Sequence, residues 1–220
     1  VSDRIAAFFD VDHTTIEVNS GRKYLEFLWK EGQISLPQAI KATWWLAQYR
    51  LSMLDYDAMT AEVVKSYAGQ KISDISRDIS GWFDDEIRPT VCKQARERIE
   101  YHRRSGHVLA FLTSGSFVSV QPLMDMLGIE HLICTDLEIE DGVLTGRYFP
   151  PAAYGEGKLI KAEAFAKEHG LDLDRSYFYT DSYSDMPMLQ RVGEPRVINP
   201  DPRLKRTAQS RGWAVETWRA

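Results

Sequence analysis

Ala6-Ala7-Phe8-Phe9-Asp10-Val11-Asp12-His13-Thr14 joins an apolar run to two aspartates set one residue apart. An apolar run without alternation reads as a strand buried on both faces, as in a parallel sheet covered by helices. Open parallel sheets present ligand-binding groups at the carboxyl ends of their strands. Asp10 and Asp12 therefore fall where a site is built, and two neighbouring carboxylates there suit a divalent cation and proton transfer. A turn cap would also account for one of them, so the rest of the chain decides.

Beyond Asp12 the apolar period changes. Tyr24, Leu25, Leu28 and Trp29 have helical spacing that ends near Gly32. Ser35-Leu36-Pro37-Gln38 reads as a capping box with proline in the first turn of a second helix. Its stripe is Ile40, Trp44, Ala47 and Leu51. A third helix follows Asp55, with Met59, Val63 and Tyr67 spaced toward a core and Gly69 closing it; a fourth carries Ile75, Ile79 and Trp82. Four helices in succession predict a small bundle.

From Pro89 onward helices and strands alternate. A helix at 91–104 precedes a strand at 108–112, which ends in Thr113-Ser114-Gly115-Ser116. A helix through Leu123 and Leu127 leads to a short strand at 132–134. Asp141-Gly142 between 137–140 and 143–149 marks a hairpin. An amphipathic helix at 158–169, a buried strand at 177–180, and strands at 196–198 and 213–215 around a helix from Pro202 complete the chain. The alternation predicts an α/β fold, a doubly wound, mostly parallel, Rossmann-like sheet. A parallel crossover needs far fewer residues than separate Asp12 from Val108. Residues 17–86 are therefore read as a helical-bundle cap domain inserted after the first strand, and 1–16 with 87–220 as the α/β core domain.

The chain has 220 residues, 44% of them hydrophobic, enough for a packed core, and its net charge of −5 argues against nucleic acid as the main partner. Cys92 and Cys134 lack a metal-ligand pattern and are expected as buried free thiols of a reducing compartment. Neither a signal-peptide pattern nor a run of ~20 apolar residues is present. The expectation is a cytoplasmic protein without stable membrane association.

Three further loops place polar groups at strand ends. Ser114 offers a hydroxyl, and its Gly/Ser loop, Gly115 included, offers amides to an anion; a helix N-cap is the competing reading. Lys158 opens a helix after Gly155-Glu156-Gly157, a spacing that is not a P-loop. Thr180-Asp181-Ser182-Tyr183-Ser184-Asp185 follows a buried strand. Asp185 suits a cap for the next helix, whereas Asp181 at the strand end suits a hard cation.

Taken together, the chain resembles the haloacid dehalogenase superfamily over essentially its whole length. Asp10 to Thr14 matches its Asp-x-Asp-x-Thr motif, Ser114 the second motif, Lys158 the third, and Asp181 with Asp185 the fourth, with Thr180 in place of the usual glycine. The helical insert and Asn199-Pro200-Asp201-Pro202 resemble the phosphoserine-phosphatase-like branch. The resemblance implies Asp10 as a nucleophile forming an aspartyl-phosphate and Asp12 as acid and base. It implies Ser114, Gly115 and Lys158 as phosphate-binding residues. Mg2+ would be held by Asp10, the Asp12 carbonyl and Asp181, with Asp185 supporting.

Relatives that take phosphoserine carry a glutamate where this chain has Asn19, with Glu17 two residues earlier. The expected activity is a magnesium-dependent phosphatase for a small phosphomonoester, with phosphoserine, histidinol phosphate and related amino-alcohol phosphates as candidates. A catalytically silent binding protein and a phosphomutase are the alternatives. The cap aromatics Trp29, Trp44, Trp45, Tyr49 and Trp82 are expected mainly in a bundle core. One of the adjacent pair Trp44 and Trp45 must face elsewhere.

Overall fold

Strand β1 (Ala6–Phe9) lies inside a six-stranded, wholly parallel sheet, which is why all four of its side chains are buried. The sheet order is β3 (His131–Ile133), β2 (Val108–Leu112), β1, β6 (Tyr177–Thr180), β7 (Glu194–Ile198), β8 (Ala214–Glu216). The computed structural model describes residues 4–50 and 56–220, apart from the side chains at 42 and 46–50. Phe9 is in register with Phe111 on one side and Tyr179 on the other. The carboxyl ends of the three central strands are thus level, and Asp10, the loop after Leu112 and Asp181 emerge on one edge. The chain reaches β2 and β3 on one side of β1, then crosses to β6 on the other. Such a reversal opens a crevice at the strand ends.

Alternate residues of β1 face opposite layers. Ala7 and Phe9 pack with Ile99 of α5 (Lys93–Arg104) and Leu123 of α6 (Phe117–Leu127). Ala6 and Phe8 pack with Ala162 of α7 (Glu156–His169), Leu189 of α8 (Met186–Arg191) and Leu204 of α9 (Pro202–Arg211). Each fully buried Phe contributes roughly 1.5–3 kcal/mol.

Between β1 and β2 the chain forms α1 (Ser20–Lys30), α2 (Leu36–Arg50), α3 (Tyr56–Ser66) and α4 (Ile72–Trp82). Ile75, Ile79 and Trp82 of α4 belong to the same apolar cluster as Phe9 and Phe111, so the insert sits directly on the sheet's core. Half of the expected capping box forms: Gln38 Oε1 accepts from the Ser35 backbone N–H at 2.8 Å, while the Ser35 hydroxyl donates to the same oxygen at 2.7 Å instead of accepting from the Gln38 N–H. The stripe expected to be buried on α2 faces solvent instead: Leu36, Ile40 and Trp44 are 60–62% exposed. The reason is angular. Adjacent helix positions differ by about 100°, and Trp45 takes the inward direction. Ala47 and Tyr49 fall among the undescribed side chains, and Leu51 lies outside the described residues. Trp29 is exposed too, whereas Trp82 is buried.

The hairpin β4 (Asp136–Glu140) and β5 (Val143–Phe149) turns through Asp141 and Gly142 at φ 49° and 77°, the mirror-image turn that Asp-Gly favours. Its tip braces the insert. Gly69 N–H donates to Leu144 O at 2.8 Å, and Ile72 N–H to Gly142 O at 3.0 Å. Cys92 and Cys134 are buried free thiols.

His102 of α5 is fully buried, its ring nitrogens 2.8 Å from His107 Nδ1 and 2.8 Å from Tyr179 Oη. Burial, with the charges of His107 and Arg98, pushes its pKa down to about 3. A depressed folded value means that acid favours the unfolded chain, which takes up the proton near 6.5. Stability should therefore fall as pH drops from 6.5 toward 3, by about 2 kcal/mol at pH 5. Urea titrations of wild type and His102→Gln should show this slope flattened in the variant.

Candidate active site

The edge of β1 continues straight into the site. Asp10 N–H donates to Tyr179 O at 2.9 Å, extending the ladder by one residue. Val11–Thr15 then forms a wide turn closed by Ile16 N–H to Val11 O (3.0 Å) and Thr15 Oγ1 to Asp10 O (2.7 Å). His13 sits in the left-handed region at φ 55°, a strained conformation that clusters at functional loops. The turn delivers Asp12 to the N-terminus of α1, where its Oδ1 accepts from Ser20 N–H at 3.0 Å. That helix end carries partial positive charge. Asn19 caps the same helix, its Oδ1 accepting from Arg22 N–H at 2.8 Å.

Lys158 is buried and bridges two carboxylates: Nζ donates to Asp10 Oδ1 at 3.0 Å and to Asp185 Oδ2 at 2.9 Å. Asp185 Oδ2 also accepts from Thr180 Oγ1 at 2.6 Å. Asp185 thus does not cap α8, as the sequence allowed; its carboxylate turns inward. The threonine that replaces the usual glycine supplies a third member of this network, a role its identity alone does not announce. Gly157 makes the lysine's placement possible, because a Cβ there would stand 1.9 Å from Ala152 O. Gly157→Ala should push the 150–155 loop off the start of α7 and destabilise the fold by about 1–3 kcal/mol, read by urea titration.

Ser114 follows β2, and Ser116, not Ser114, is the N-cap of α6. The Gly115 amide donates to Thr113 Oγ1 at 3.2 Å, a bond that an anion's oxygen would replace. Tyr56 of α3 reaches the Ser114 carbonyl at 3.4 Å and stacks on Tyr154 with ring centroids 4.3 Å apart. Asp57 Oδ1 accepts from Tyr148 Oη (2.7 Å) and Ala152 N–H (3.0 Å). These contacts tie the insert to the loops of the site, and no sequence motif marks them. A cavity of about 400 Å³ opens beside Asp12 and Ser114 and runs among the inserted helices, with Trp45 and Trp82 in its wall.

Carboxylates outnumber cations here. Burial pushes the Asp10 carboxyl up to about 7, with the Lys158 charge opposing and the Asp185 and Asp12 charges reinforcing. Burial also raises Asp12, against the Ser20 hydrogen bonds. Asp181 is held well above the usual range by burial and by the charges of Asp10 and Asp185. Lys158 stays protonated: burial lowers its pKa, but the charges of Asp10 and Asp185 more than restore it. Asp185 Oδ1 is buried without a partner.

Among the described residues, no three His, Cys, Asp or Glu side chains are arranged to hold a metal ion by themselves. Mg2+ ordinarily takes one or two carboxylates with other oxygens completing its shell. Asp10 and Asp181 supply such a pair, whose mutual repulsion a divalent cation would relieve. Asp185 Oδ2 and Asp12 Oδ1 are engaged by Lys158, Thr180 and Ser20. Asp10 has one oxygen engaged in the same way, by Lys158, and Asp185 Oδ1 is left without a partner, so an engaged oxygen removes none of the four aspartates from a donor set that fits Mg2+.

Residues 7–190 match the family model of haloacid dehalogenase-like hydrolases, and the chain belongs to that family. It is 30% identical over 215 residues to a protein of Mycobacterium tuberculosis named a probable phosphatase, covering 96% of this chain and 75% of that one. It is 28% identical over 217 residues to a histidinol-phosphatase of Neisseria meningitidis, covering 95% and 96%. A solved protein of unknown function from Bordetella pertussis superposes with a TM-score of 0.87 at 30% identity, covering 96% of this chain and 97% of that one. A substrate-bound phosphoserine phosphatase shares the fold, with a TM-score of 0.68 at 19% identity over 94% of this chain and 91% of that one. No helix among the described residues is long and apolar enough to cross a membrane.

Proposed function

We propose that this hydrolase is a magnesium-dependent phosphatase that cleaves a small phosphomonoester through an aspartyl-phosphate on Asp10. The observation that carries the reading is the Lys158 bridge, which pins Asp10 Oδ1 and leaves the other oxygen of the carboxylate to attack. That oxygen forms a bond to phosphorus as the ester P–O bond breaks. Asp12, raised by burial, gives its proton to the departing alkoxide. It then takes a proton from the water that attacks phosphorus, which releases phosphate and restores Asp10. Ser114 and the Gly115 amide hold phosphoryl oxygens, and Lys158 neutralises charge on both carboxylate and phosphoryl group. Asp10, the Asp12 carbonyl and Asp181 would hold Mg2+, which supplies positive charge to the phosphoryl oxygens. Residues 17–86 are assigned as a cap over this edge of the α/β core formed by 1–16 and 87–220.

Phosphate release from a panel of phosphomonoesters, with and without Mg2+, tests the reading; release that ignores Mg2+ would count against it. A binding consequence follows from the raised carboxyls. Without a divalent cation, a carboxyl whose folded pKa is raised favours folding below the unfolded value near 4. That contribution fades as pH rises through about 7 for Asp10. Mg2+ competes with those protons, so the rise in melting temperature it produces should be several-fold larger at pH 8 than at pH 5. Differential scanning fluorimetry at the two pH values reads it directly.

A further inference from the structure

We infer that the phosphomonoester carries an uncharged, apolar alcohol rather than an amino alcohol; this inference rests on the phosphatase reading above. Under that reading Asp12 protonates the oxygen to which the leaving group is attached. Asp12 and Ser114 are in the wall of the 400 Å³ cavity. The alcohol must therefore extend into that cavity while the phosphoryl group stays at the strand edge.

The cavity's walls decide what it accepts. Leu25 and Leu28 from α1, Met59 and Val63 from α3, and Ile75 and Ile79 from α4 surround it. Among the described lining residues, Asp12 is the only charged side chain. The carboxylate that could have met an ammonium is turned away, since Glu17 lies 3.6 Å from Arg219. Asn19, which does line the cavity, already uses its Oδ1 as the cap of α1. A carboxylate on the substrate would be desolvated there with no cation to meet it, and an ammonium would find only Asp12, which the phosphatase reading commits to the leaving oxygen. An alkyl or aryl group gains from each carbon buried. At about 30 Å³ for a water-sized group, the space takes on the order of a dozen non-hydrogen atoms.

The test compares ethyl, butyl and hexyl phosphate with phosphoserine and phosphoethanolamine. Two readouts are taken: kcat/KM of the wild-type chain with Mg2+, and calorimetric Kd of the same esters for Asp10→Asn, which is not expected to turn over. A buried methylene is worth about fourfold, so hexyl phosphate should exceed ethyl phosphate by on the order of a hundredfold in both readouts. Phosphoserine should fall below hexyl phosphate. Val63→Asp, which places a carboxylate in the wall, should shift preference toward phosphoethanolamine. A flat alkyl series, or phosphoserine preferred in both readouts, overturns the inference while leaving the phosphatase reading intact. Steep binding to Asp10→Asn with no wild-type turnover of any ester would keep the apolar specificity and remove the phosphatase.

Discussion

Asp10→Asn should abolish phosphate release, on the order of 10⁴-fold or more, while the protein remains folded. The amide keeps the shape of the side chain and an oxygen that can accept from Lys158, but it is not a nucleophile toward phosphorus. Stability should not suffer. Burial pushes the Asp10 carboxyl up to about 7, so at pH 8 the folded chain holds a charge that its surroundings disfavour. The neutral amide removes that cost. Melting temperatures at pH 8 without Mg2+ should therefore be equal to or above wild type, and loss of activity accompanied by unfolding would contradict the assignment.

Lys158→Met should be the opposite case, losing activity and stability together. Lys158 is the shared donor of Asp10 Oδ1 and Asp185 Oδ2, and all three residues are buried. Removing it leaves two carboxylates without their counter-charge, and breaking a buried pair in this way costs about 3–5 kcal/mol. The sign of the pH dependence follows. Burial already pushes the Asp10 carboxyl up to about 7, and its protonation removes one of the unpaired charges, so the deficit relative to wild type should be larger at pH 8 than at pH 5. Chemical denaturation across this range checks it. A deficit independent of pH would mean that the lysine acts only through packing.

The sequence was most legible where one residue type has one physical use. The unalternating run before Asp10 can be satisfied only between two covering layers, and β1 is buried on both faces. Asp141-Gly142 likewise permits a turn with two positive φ values, and the hairpin forms there. Facing partners were not legible. Helical spacing showed that Ile40 and Trp44 share one side of α2, but not which side meets the core, and Trp45 went inward instead. The same limit hid the contacts across the insert. Tyr56 on Ser114, Asp57 on Ala152 and the hairpin tip on Gly69 join residues distant in the chain. Thr180 shows the remaining gap: it departs from the motif, yet its hydroxyl bonds the Asp185 carboxylate, which only the fold reveals.

The most direct measurement of the central claim is an acid-quenched single turnover with Mg2+, followed by mass analysis of the proteolytic peptides. A phosphoryl increment should appear on Asp10 within the peptide that holds it, rise before free phosphate accumulates, and be absent from Asp10→Asn. Phosphate released at full rate with Asp10 unmodified throughout the turnover, or release retained by Asp10→Asn, would contradict the account.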